Sequence, residues 1–329
     1  MSYKALTGTE DAMHEAVQNA FPSTDSIVQR LRASERLSIA YDAGKTWPIP
    51  GRKASPTAKT ETIGILITAF DDAMRWHHTD RKVWRASLKH PERRIKYSEI
   101  RPGNVPLAHL NRFLRAANSM PGLLLTLTVP RTPKYIFTKK QDSKTHPKLD
   151  AYEKWPPMVF ERLVRFATFL GVGLSPVSRP GQEVYWLSDN DDIIANEDRR
   201  ALACHFIKYR ISDPLGHEVA PRLAPLELLT DKLAAEDILA IPDVAAGGVG
   251  EYLERCAAEF GEPEAIWLPE PAEIQGKATE IACWFGLNEG SLRKSAFSLD
   301  PVRGKAFQHV VAVRKRPIIV APSPRIIRP

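Results

Sequence analysis

The sequence predicts an α/β or α+β fold, a sheet with helices packed on it, and three observations predict it. Short apolar runs alternate with amphipathic stretches of helical period through most of residues 37–259. The runs carry β-branched residues and are separated by Gly- and Pro-containing breaks, as strands and helices of one sheet domain are. At 329 residues, with 43% hydrophobic and 26% charged side chains, the chain is long enough and ordinary enough in composition to bury such a sheet under helices. Strands in regular alternation with helices exclude a helix bundle or a β-sandwich.

The elements follow in chain order. Residues 1–30 read as a helical arm in which Ala12, Ala16, Ala20 and Val28 lie near helical spacing and Pro22 and Ser23 break the run. LSIAYD at 37–42 alternates apolar and polar residues and predicts a strand. The Gly-, Pro-, Lys- and Thr-rich residues 43–61 predict a loop. TIGILITA at 62–69 is a buried strand by its continuous apolar character. Residues 71–88 place Ala73, Trp76, Val83, Trp84 and Leu88 on one face of a single helix. RIKYSEI at 94–100 predicts a short strand. A helix over 105–119, with Leu107, Leu110, Leu114 and Ala117 spaced for burial, ends at Pro121-Gly122. LLLTLTV at 123–129 is the clearest strand, and the basic KKQDSKTHPK after it is an exposed loop. Helices follow at 155–171, 195–211 and 233–259, the last interrupted or opened by Pro242, with strands at 182–188 and 217–223 between them.

No apolar run is long enough to cross a membrane, and the N-terminus lacks the basic start and apolar stretch of a secretory signal. Cys204, Cys256 and Cys283 are odd in number, far apart and in helical contexts, so they read as small buried hydrophobes, not a disulfide framework or a zinc site. A cytoplasmic location fits. Lys and Arg total 46 against 39 Asp and Glu, a net charge of +7 with a pI near 9.2, a balance that favours polyanionic partners, nucleic acid above all.

Four acidic residues are placed where an α/β sheet gathers chemistry, at strand ends and the loops beyond them. Asp42 closes the first strand and Glu99 the short strand RIKYSE. Asp189 closes VYWLSD, with Asp191 and Asp192 just beyond, where they read better as the start of a helix. Asp243 follows Pro242 near a helix start, where compensation of the helix dipole is the plain alternative. Clustered carboxylates repel unless a cation neutralises them, and Mg²⁺ or Mn²⁺ takes hard oxygen ligands. Two such ions about 4 Å apart assist phosphodiester cleavage.

The wording of these segments resembles an RNase H-like family, a domain of unknown function whose first strand ends in Asp-Glu-Ser-Gly or Asp-Asp-Ser-Gly. IAYDAGKT supplies the first Asp, TIGILITA the second strand, VWRASL the Trp-containing helix, KYSEI the Glu, VYWLSDNDDI the third acidic group and EDILAIPDVAAGGV the fourth. The resemblance covers roughly residues 37–255. It implies an RNase H-like mixed sheet over 31–260, followed by a small C-terminal extension over 261–329. It also implies Asp42, Glu99, Asp189 and Asp243 as ligands of Mg²⁺ or Mn²⁺, with metal-dependent cleavage of nucleic acid as the activity. The chain departs from the family where Ala43-Gly44-Lys45 replaces the acidic or hydroxyl residues after the first Asp, and in the long segment 43–61.

Lys45 is a candidate phosphate contact, although DAGKT lacks the upstream glycine and the following helix of a nucleotide-binding loop. His77 and His78 read as a polar helix face. KATEIACWFGLNEGSLRKSA at 277–296 resembles a helix-turn-helix that would carry Arg293 and Lys294 on a recognition helix. That motif, or the basic ends around Arg314 and Arg325, gives the alternative expectation: a non-catalytic nucleic-acid-binding or partner-binding protein on a degenerate RNase H-like fold.

Overall fold

The computed structural model describes residues 13–48, 59–91, 95–101, 107–130, 155–187, 196–223, 232–260, 267–268, 276–287, 290–300, 305–309 and 314–315. Its strands are β1 (Arg36–Pro48), β2 (Lys59–Ala69), β3 (Gly122–Pro130), β4 (Glu183–Leu187), β5 (Pro221–Leu223), β6 (Trp267–Leu268), β7 (Leu292–Asp300), β8 (Lys305–His309) and β9 (Arg314–Lys315). Seven form one mixed sheet in the order β5-β4-β1-β2-β3-β7-β8, and β6 pairs with β9. β1, β2 and β3 make an antiparallel meander; β4 runs parallel to β1, β5 to β4 and β7 to β3, and β8 closes the edge antiparallel to β7. With helices on both faces, this is a mixed α/β sheet, the fold class that the sequence predicts.

The period-two alternation of the strands divides the core. Leu37 and Ile39, Ile63, Ile65 and Ile67, and Leu123, Leu125 and Leu127 point to one face. There they meet residues 13–20 (α1), α2 (Ser26–Ala33), α6 (Pro157–Leu174) and α7 (Glu197–Leu215). Ala40, Leu66, Leu124 and Ala296 point to the other face. It is covered by α3 (Phe70–His78), α4 (Asp80–Ala86), α5 (Leu107–Asn118), α8 (Lys232–Phe260) and α9 (Lys277–Leu287). Asp42 has the parity of Ala40, so its side chain belongs to the α8 face.

α8 runs unbroken for 29 residues with Pro242 inside it. A proline in a helix interior costs about 3 kcal/mol, because it lacks the N–H for residue i−4 and crowds that carbonyl. Burial of Ile238, Ile241, Val244 and Val249, at about 1.5–3 kcal/mol each, outweighs that cost. Asp243 therefore sits mid-helix, one residue past the proline, and not at a helix start. The helix can lie this close to the sheet because Gly64 has no side chain: a Cβ there would fall 2.2 Å from the Pro242 carbonyl oxygen.

The structure corrects several expectations. β1 does not end at Asp42; the hairpin continues to Pro48 and Lys59, with a bulge between Ala43 and Thr46. One extra residue on β1 keeps pairing alive where Gly and Pro had predicted only loop. Lys45 lies in this strand, and its side chain is outside the described residues. Residues 95–100 form no strand, only a 3-10 turn at Tyr97–Glu99, because the Tyr97 N–H and C=O bond to Asp243 and Lys277 instead of a neighbouring strand. The helix expected over 71–88 breaks at Thr79, whose φ of −115° and ψ of −93° are not helical, so α4 is out of phase with α3 and Val83 is exposed. His77 is buried while His78 is exposed. Cys204 and Cys283 are half-buried, and the Cys256 side chain lies outside the described residues. No described helix is long and apolar enough to cross a membrane.

The helix-turn-helix is also overturned. After α9 the chain enters β7, paired in parallel with β3, so the described residues 290–296 form no recognition helix. Lys294 is 2% exposed; its Nζ donates to Asn118 Oδ1 at 2.9 Å and lies 5.0 Å from the Trp284 ring centre. Arg293 Nε donates to Asp25 at 2.9 Å. Alternation along β7 turns one of these cations into the core and the other toward α2, so neither lies on a recognition helix.

Asp25 caps α2 by accepting the Ile27 N–H at 2.7 Å. Its burial raises the carboxyl pKa, but the Arg293 hydrogen bond and charge and the helix N–H groups outweigh it and hold the pKa below the ordinary value. Two outcomes are expected. Gly64→Ala should lower unfolding stability by about 1–3 kcal/mol in denaturant melts, since backbone lies where the methyl must go. Asp25→Ala should cost about 1–2 kcal/mol at neutral pH. A depressed folded pKa gives stability that is complete above the unfolded value and lost as pH falls through the folded one. The difference between wild type and Asp25→Ala should therefore shrink in melts taken below about pH 4.

Candidate active-site pocket

Asp42, Ile95, Lys96, Glu236, Leu239, Ala240 and Asp243 line one pocket. Three segments build it: the middle of β1, the stretch before the 3-10 turn, and two turns of α8. Asp42 is opposite Gly64 in the β1–β2 register. The strand position that admits the Pro242 carbonyl is thus the cross-strand neighbour of Asp42, and the residue after Pro242 is Asp243. The close helix–strand approach brings the two carboxylates to one pocket from distant parts of the sequence.

Tyr97 fixes the third wall. Its backbone N–H donates to Asp243 Oδ2 at 2.7 Å, and its hydroxyl donates to Glu251. Its ring covers Gly247, where a Cβ would come within 2.2 Å of Tyr97 Cγ. Residues 243, 247 and 251 form an i, i+4, i+8 stripe on α8, and Tyr97 lies along it for about 12 Å. Lys277 Nζ donates to the Tyr97 carbonyl at 2.8 Å and sits 4.0 Å from its ring centre. This tethering holds the Asp243 carboxylate in one orientation and sets Lys96, the preceding residue, at the pocket.

Another side of the same stretch of α8 carries Asp237, which is fully buried. Arg81 Nε donates to it at 2.6 Å and Arg85 Nε at 2.8 Å, with a second Arg85 bond to its other oxygen. Arg81 also bonds His77 Nδ1 at 3.2 Å. Burial is the larger influence on Asp237 and raises its pKa; hydrogen bonds and charge from Arg85 and Arg81 oppose it. The cluster pins the first turns of α8 to α4, while Asp243 and Glu236 remain half-buried on the pocket side.

Of the four acidic residues expected at the site, the structure brings Asp42 and Asp243 together. Glu99 ends the 3-10 turn, exposed, and does not line the pocket. Asp189 lies outside the described residues; β4 ends at Leu187, paired with Ala40, two residues before Asp42 on β1. Glu236 and Lys96 were missed. A helix read straight through Pro242 would have put Glu236, Leu239, Ala240 and Asp243 on one face, at i, i+3, i+4 and i+7. Among the described residues no group of three or more His, Cys, Asp or Glu is spaced to hold a metal ion.

No family model and no curated protein matches the chain. Among solved structures, the ribonuclease H2 from Pyrococcus horikoshii OT3 is similar at 14% identity and a TM-score of 0.30, over 69% of this chain and 81% of that one.

Asp237→Ala should destabilise the protein by about 3–5 kcal/mol, because it leaves two guanidinium groups buried against each other. Thermal and urea melts compared with an exposed control such as Asp80→Ala should show it.

Proposed function

We propose that the chain is a divalent-metal-dependent nuclease that cleaves phosphodiester bonds at the Asp42–Asp243 pocket. The observation that carries this reading is the meeting of those two carboxylates, one from the sheet and one from α8, in a pocket that also holds Lys96. The donor set suits the metal: Mg²⁺ needs only one or two carboxylates when water and phosphate oxygens complete its shell. Asp42 and Asp243 would hold it. When bound, Mg²⁺ or Mn²⁺ supplies Lewis acidity toward a phosphate ester.

The protein's own contribution is position. The β1–β2 register and the Gly64–Pro242 approach set the distance between the two side chains. The Tyr97 N–H orients the Asp243 carboxylate, so its attitude is established before a substrate arrives. The net charge of +7 favours a polyanionic substrate. The non-catalytic alternative loses its main support with the helix-turn-helix, since Lys294 is in the core.

Single- and double-stranded DNA and RNA, incubated with Mg²⁺ or Mn²⁺, test the proposal. Asp42→Asn and Asp243→Asn should each reduce cleavage by at least about a hundredfold while circular dichroism and the melting midpoint stay near wild type. Full cleavage by both folded variants overturns it.

A further inference from the structure

Among the described residues, one basic and three acidic side chains line the pocket. Lys96 lines it together with Asp42, Glu236 and Asp243. This lysine is not a loosely placed surface side chain. It is half-buried, its backbone is extended at φ −131° and ψ 143°, and the next residue is Tyr97. Tyr97 is tethered through its N–H, carbonyl, ring and hydroxyl to α8 and α9.

The formal charges of the lining define what the pocket takes. Among the described residues the lining has three acidic side chains and one basic one, a formal charge of −2. One divalent cation brings that to zero. A phosphodiester, with its single negative charge, then meets a neutral site with an ammonium at its wall. Without the ammonium the lining carries −3, and one divalent ion leaves a residual negative charge that repels the same diester.

Resting on the nuclease reading above, we propose that Lys96 is the substrate-phosphate contact of this pocket, and that its charge matches the site to one divalent ion plus a phosphodiester. The two roles have opposite signs. The ammonium weakens binding of the cation, because like charges repel, and strengthens binding of the diester through a charge-assisted hydrogen bond. A lysine that only supported the fold would affect both ligands in the same direction.

The test uses the full chain and the variants Lys96→Met, Lys96→Gln and Lys96→Arg. Mn²⁺ uptake is measured by calorimetry. Binding of a fluorescein-labelled, mixed-sequence phosphorothioate single strand is measured by anisotropy in Mn²⁺ over a series of salt concentrations. Lys96→Met and Lys96→Gln should bind Mn²⁺ about tenfold more tightly. They should bind the oligonucleotide about tenfold more weakly. The slope of log affinity against log salt should fall by about 0.7, the share of one phosphate contact on a single strand. Lys96→Arg, which keeps the charge, should return both affinities toward wild type. Unchanged Mn²⁺ affinity, an unchanged salt slope, or losses for both ligands in folded neutral variants would overturn the role of Lys96 alone, provided the wild type binds Mn²⁺. A wild-type chain that takes up no Mn²⁺ overturns the metal reading of the pocket, and the lysine proposal with it.

Discussion

At Gly64 and Pro242 the backbone of a helix lies directly on the backbone of a strand, and the arrangement of the pocket depends on that approach. A side chain at residue 64 would hold α8 away from β2, and Asp243 would retreat from Asp42 with it. The contact is steric and lacks the tolerance of a long side-chain pair, since neither a strand nor a helix backbone can yield locally without losing hydrogen bonds. The bulge between Ala43 and Thr46 adds to it. It begins after Ala43, so the strand is regular where it presents the carboxylate and irregular just beyond.

Two further attachments keep α8 from sliding or turning. Arg81 and Arg85 grip Asp237 near its start. Tyr97 lies along residues 243, 247 and 251 further on. One is ionic and buried; the other combines hydrogen bonds with an aromatic ring seated on a glycine. Asp237 and Asp243 are six residues apart on one helix, yet one is consumed by structure and the other faces the pocket. Charge alone did not distinguish them; the side of the helix did.

The sheet was legible where one rule dominated. TIGILITA and LLLTLTV are strands by continuous apolar character, and both lie in the centre of the sheet. Asp42 and Asp243 were found as acidic residues beside Gly, Pro or small residues, the marks of backbone turning or approaching closely. What was lost had a competing cause. RIKYSE has the alternation of a strand, but its polar backbone groups are taken by α8 and α9. Pro242 reads as a helix break, yet the buried face of α8 carries the helix through it, and that misreading hid Glu236. The segment at 277–296 matches a helix-turn-helix in spacing, but SLRKSAF alternates, and the alternation becomes a strand once β3 offers an unpaired edge.

Pro242 has one more consequence. It has no amide hydrogen, so the hydrogen-bond ladder of α8 lacks the rung that would join residue 242 to Ile238. The missing rung divides the helix into two stretches that can exchange their amide protons as separate cooperative units. Glu236, Leu239 and Ala240 belong to the first and Asp243 to the second, so the pocket straddles the seam. An opening of α8 at this seam would change the spacing of the pocket's own acidic groups, and the Asp237 cluster and the Tyr97 stripe hold the two stretches from either side.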